Sequence, residues 1–138
     1  MLKDIKLVGF RYSKIGVERV EDPEGELKIT PNINIKSIEE HRSKTTKQDV
    51  LQIDFQFKID YSSLGKVELE GKLYLSVDKK ILKDTIDEWK SKKLGKDINL
   101  IILNIIMQKA SIKALELEEE MNLPPHIQLP RLQLDKKE

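Results

Sequence analysis

From Leu51 to Tyr61 every odd position is apolar and every even position is polar: Leu51, Ile53, Phe55, Phe57, Ile59 and Tyr61 alternate with Gln52, Asp54, Gln56, Lys58 and Asp60. Period two is the mark of a strand with one buried face. Ser62-Ser63-Leu64-Gly65 then reads as a turn, with glycine where a positive φ is needed. Alternation resumes with Val67, Leu69, Gly71, Leu73, Leu75 and Val77 against Glu68, Glu70, Lys72, Tyr74 and Ser76. The two runs predict one long antiparallel hairpin, its charged even face in water and its odd face in need of a cover.

The earlier strands are less regular. Ile5 to Tyr12 reads as a strand bent near Gly9, and Ile15 to Val20 continues the extended pattern. Asp22-Pro23-Glu24-Gly25 is a turn, and Glu26 to Ile38 alternates again with Leu27, Ile29, Ile33 and Ile35 on one side. Pro31 has no amide hydrogen for a ladder and predicts an edge position or a bulge. Residues 39–49 are polar and read as a connection. The sheet therefore spans about 5–77.

The second half switches to helical spacing. Asp78 is the expected N-cap of a helix over about 78–93, with Ile81, Leu82, Ile86 and Trp89 on one face. A second helix over about 97–122 starts near Asp97. Its first part, Ile98 to Met107, is apolar on nearly all sides. Its second part turns Ala110, Ala114, Leu117 and Met121 inward and Glu116, Glu118, Glu119 and Glu120 outward. A helix apolar all round must be covered on more than one side. A second subunit supplies that cover, or else the first helix and the tail do. The tail, 123–134, holds Pro124, Pro125 and Pro130 among Ile127, Leu129, Leu132 and Leu134, and predicts an extended strap packed on something. Together these elements predict an α+β fold in a single domain over residues 1–138: a four-stranded antiparallel sheet with helices packed on one face.

Composition narrows the chemistry. The chain has 138 residues and no cysteine, so thiol nucleophiles, disulfides and cysteine metal sites are excluded. Charged residues make up 36% yet sum to +1, and no basic stripe marks a nucleic-acid surface. No Gly-rich phosphate loop or Gly-x-Ser-x-Gly element occurs. His41 and His126 stand alone and are expected at the surface. Asp54 and Asp60 share a strand face but lie roughly 20 Å apart, too far to share a proton. Nothing here predicts an enzyme, a cofactor or a metal. The N-terminal residues lack a signal-peptide pattern and the apolar run 98–107 is too short to span a bilayer, so a cytoplasmic protein without membrane insertion is expected.

The order of these elements resembles the SecB family of export chaperones. The likeness rests on Arg11-Tyr12-Ser13-Lys14 in the first strand, the hairpin with its turn at Ser62-Ser63-Leu64-Gly65 and return strand Leu69-Glu70-Gly71, the apolar helix Ile98 to Leu115, and Leu123-Pro124-Pro125 with Ile127-Gln128-Leu129-Pro130 after it. The resemblance implies an ATP-independent holdase for unfolded or nascent polypeptides, linked to protein export, and a homotetramer built as a dimer of dimers. It places the long helix, with Ile101, Ile105, Gln108 and Ile112, at the subunit interface. It places Tyr12, Ile15, Val17, Phe57, Tyr61 and Trp89 in hydrophobic client grooves. The family's last helix has no counterpart before Glu138, and its acidic motor-docking surface is not recognisable. A general holdase, or a dedicated module binding one partner such as an antitoxin-guarding or adaptor protein, is the alternative to an export factor.

Overall fold

Four strands and two helices succeed one another along the chain: β1 (Lys6–Arg19), β2 (Thr30–Arg42), β3 (Asp49–Asp60), β4 (Gly65–Ser76), α1 (Lys79–Lys90) and α2 (Lys96–Glu120). The computed structural model describes residues 5–42, 49–130 and 132, so Leu134 of the expected strap lies outside the described residues. All pairings are antiparallel, in the order β1-β4-β3-β2. The hairpin β3–β4 is thus the centre of the sheet, and β1 and β2 are its edges. The α+β fold read from the sequence is the fold observed.

The register explains the core. Leu51 faces Leu75, Ile53 faces Leu73, Phe57 faces Leu69 and Ile59 faces Val67. All eight are fully enclosed, under Ile98, Ile102, Ile106, Ala110 and Ala114 of α2 and Leu82 of α1. At the middle of the hairpin Phe55 faces Gly71, and on the other side Tyr12 faces Gly71. The rings of Phe10, Tyr12 and Phe55 close over that glycine with centroids 5.1–6.4 Å apart. A Cβ on Gly71 would lie 2.3 Å from the Arg11 carbonyl oxygen and 3.0 Å from Phe55. Glycine is there because two strands and an aromatic ring converge on it.

The edge strands carry shifts in register that the sequence pattern hid. β1 slips between Leu7 and Gly9 and again between Tyr12 and Lys14. Each slip inserts one residue and flips the face of the residues after it. Leu7, Phe10, Tyr12, Ile15 and Val17 therefore lie opposite Leu75, Leu73, Gly71, Leu69 and Val67, all on the helix side. What read as two extended segments is one bulged strand. In β2 the slip between Ile35 and Ser37 likewise keeps Ile33, Ile35 and Ile38 on the helix side.

Both ends of β2 and the β3–β4 turn differ from the sequence reading. β2 starts at Thr30, so Leu27 lies before it and is exposed. β2 also runs on through Arg42 where a polar connection was expected; residues 43–48 lie outside the described ones. In the β3–β4 turn the left-handed residue is Ser62, with φ 60°. Gly65 is required by approach: a Cβ there would meet the Glu18 carbonyl oxygen at 2.0 Å.

The outer face of the sheet is a lattice of ion pairs. Glu68 accepts Lys14 at 2.9 Å and Lys66 at 3.0 Å, Glu70 accepts Lys36 at 2.8 Å, and Lys72 lies 3.7 Å from Asp54. Hydrogen bonds from Lys14 and Lys66 pull the Glu68 carboxyl down to about 2, and Lys36 lowers that of Glu70. The same contacts raise Lys14 and Lys66.

Candidate functional site

Helix ends shape one apolar opening. Asp78 caps α1 as expected, its carboxylate accepting the Ile81 amide at 2.8 Å. α1 stops at Lys90, three residues before the expected end. Lys92 turns left-handed (φ 59°), its amide donating to the Trp89 carbonyl and that of Lys93 to the Glu88 carbonyl. This is a Schellman termination with lysine in the place of glycine. Gly95 is the N-cap of α2, two residues before the expected start near Asp97, and no side chain caps that end. The Gly95 amide donates instead to Glu88 at 3.1 Å, tying the link back to α1.

That turn holds Trp89, Lys90, Lys92 and Leu94 beside edge strand β2. With Ile33, Asn34, Ile35, Asn99 and Leu103 they line an open groove of about 860 Å³. Trp89, Leu94, Ile33 and Ile35 are only partly buried against the core. The groove is therefore apolar at its floor, lysine-lined at the rim, and bounded by a strand that is an edge of the sheet among the described residues.

Of the six residues assigned to client grooves, Trp89 lines this opening. Phe57 and Tyr61 do not reach any surface: both have zero exposure. They sit on the central strand side of the core, where α2 covers the sheet. Tyr12, Ile15 and Val17 lie on β1, at the opposite edge from β2. Tyr12 is half-buried and donates to the Lys109 carbonyl at 3.3 Å. Burial first, then the Glu116 charge, pushes its hydroxyl up to about 12. Ile15 is 48% exposed and Val17 is partly covered. The six are thus divided between an open β2 edge, the interior and β1.

The assigned interface residues lie along α2. Ile101 and Ile105 are half-buried, while Gln108 and Ile112 are exposed. Sequence reasoning missed two more apolar residues on the same helix, Leu100 (59% exposed) and Met107. Their signal was present in the all-round apolar stretch. By length and composition α2 could also cross a membrane, contrary to the bilayer reading of 98–107 alone; here it packs along the sheet.

A second constellation overturns two sequence readings. Glu118, expected in solvent, is 2% exposed. His126, expected at the surface, has a side chain only 1% exposed. Its Nδ1 donates to both Glu118 oxygens, at 3.0 and 3.1 Å, and its Nε2 meets Ser111 Oγ at 3.1 Å. The Tyr61 hydroxyl also donates to Glu118. Burial, then that bond and the Glu118 charge, drive the Tyr61 hydroxyl well above its ordinary range. Phe57 stands edge-on to the imidazole at 5.9 Å.

Carboxylate, imidazole and serine in sequence have the order of a nucleophile relay. The surroundings do not serve that chemistry. Ser111 is 7% exposed. It lies well inside α2, where backbone amides are spent on the helix and cannot form an oxyanion hole. The cluster acts as a clamp between the tail and α2. Among the described residues no group of three or more His, Cys, Asp or Glu could hold a metal. No protein-family model, no curated protein and no solved structure matches this chain.

Proposed function

We propose that this chain is an ATP-independent, SecB-type holdase that binds unfolded or nascent polypeptide along the β2 edge. The observation that carries the reading is the groove of Ile33, Ile35, Trp89, Leu94 and Leu103 lying open beside an edge strand. Unfolded chains expose apolar side chains and unpaired backbone together. An apolar floor takes the first, and a sheet edge takes the second by adding a strand. The exposed Leu100, Met107 and Ile112 on α2 support self-association into a tetramer. Several grooves on one assembly then hold one long client by avidity.

The test is suppression of aggregation of a denatured enzyme without nucleotide. Suppression at near-stoichiometric tetramer is expected, and Trp89→Asp should weaken client binding by about tenfold or more, as for a central aromatic anchor. Unchanged aggregation in large excess of this protein ends the reading. Capture of one folded partner and no unfolded chains would assign it instead to a dedicated interaction module, which the lysine rim of the groove also suits.

A further inference from the structure

The tail beyond α2 is fastened in an unusual way. α2 ends as α1 does: Asn122 is left-handed (φ 54°), its amide donates to the Glu119 carbonyl, and the Leu123 amide donates to the Glu118 carbonyl at 2.7 Å. Leu123 is then buried in the core cluster that also holds Leu117. Among the described residues, 124–130 make no backbone hydrogen bond to another element. Ile127 is 41% and Leu129 50% exposed. Past Leu123, the His126 ring is the one deeply buried anchor among the described residues.

We propose that Met121–Pro130 is a self-docked strap on a polypeptide seat formed by Phe57, Tyr61, Ser111 and Glu118, and that a proline-bounded, histidine-bearing segment in trans can take its place. The occupant already present defines what the seat accepts: a proline-bounded stretch outside helix and sheet that bends at His126–Ile127 and inserts one N–H-donating ring between α2 and β3. Departure of His126 leaves the enclosed Glu118 carboxylate with Tyr61 as its one remaining side-chain donor among the described residues, and Ser111 without its imidazole. An empty seat is therefore unfavourable, and a second donor-bearing segment is favoured over water. The strap competes for the seat at high effective concentration because it is tethered a few residues away. The inference rests on the polypeptide-binding reading only for the class of occupant; the groove beside β2 plays no part in it.

The test uses the full-length His126→Ala protein and a fluorescent peptide with the sequence Met121 to Pro130. The peptide is expected to bind the variant at least about tenfold more tightly than the wild-type chain, whose own strap competes. A peptide carrying the same His126→Ala change should lose that binding. Heteronuclear NOE values at Ile127–Leu129 should fall in the variant, while amides of β3 and β4 keep their protection from exchange. Equal peptide affinity for both proteins, or a strap that stays rigid without its imidazole, overturns the proposal. Should His126→Ala lose the protection of β3 and β4, His126→Gln in the full-length chain keeps an N–H donor for Glu118 and leaves the seat residues unchanged. It must then give intermediate strap mobility and peptide affinity, and wild-type values for both overturn the proposal. Failure of the aggregation assay alone bears on the β2 groove, whereas failure of the peptide assay bears on this seat.

Discussion

Gly71 shows how one residue without a side chain can organise the middle of a sheet. Its neighbours across both pairings are aromatic, and Phe10 completes the cover. Gly71→Ala would force a methyl group into the Arg11 carbonyl and the Phe55 ring. Overpacking of this kind costs about 1–3 kcal/mol, and more where backbone is the obstacle. Urea denaturation of the variant should show that loss with an unchanged slope; a midpoint equal to wild type would mean β1 can move away freely. Glu118 carries the opposite lesson. It stands in a run of three glutamates and reads as solvent-facing, yet it lies four residues after Ala114 and eight after Ala110, on the buried stripe. The sequence reading placed it outward with its neighbours, although its spacing from the two alanines is that of the inward stripe. What periodicity did not offer was its partners, because Tyr61 and His126 are distant in sequence or lie beyond the helix.

At the scale of elements, caps and bulges decide where the pattern starts and stops. The Asp78 cap was legible because a carboxylate precedes an amphipathic stretch. The end of α1 was not, since a lysine occupies the left-handed position that glycine usually takes. On the outer face of the sheet the pairs around Glu68 join β1 to β4. The ordinary glutamate value is 4.5, and the folded value is depressed to about 2. A depressed carboxylate stabilises the fold above its unfolded value and loses that contribution as pH falls through the folded one. The contribution of Glu68 to stability should therefore be constant from neutral pH to about 5 and be lost between about 4.5 and 2. Glu68→Gln should make the acid decline in stability shallower in thermal melts taken across the window, and high salt should act the same way. An acid profile unaltered by the substitution would remove Glu68 as its source.

At the scale of the molecule, the unsettled surface belongs to α2. The helix buries Ile98, Ile102, Ile106, Ala110, Ala114 and Leu117 against the sheet and leaves Leu100, Met107 and Ile112 outside. One subunit has one sheet, and a helix apolar on two sides can give it only one of them. Light scattering should report a tetramer for the wild-type chain. Leu100→Asp with Ile112→Asp should lower the mass while circular dichroism stays unchanged. A wild-type mass of a single 16.0 kDa chain would remove self-association from the proposed function.

The amino-acid order by itself determined the central hairpin, the two helices, the α+β class and which face of β3 and β4 is buried. These come from local periodicity, which each element carries within its own residues. Only the tertiary structure decided that Phe57 and Tyr61 are sealed, that β1 keeps one face through two bulges, that Tyr12 and Trp89 stand at opposite edges, and that His126 is locked onto Glu118. Each of those depends on what lies across a gap of many residues. A side chain's pattern fixes which way it faces, but whether anything covers it is set by packing between distant segments.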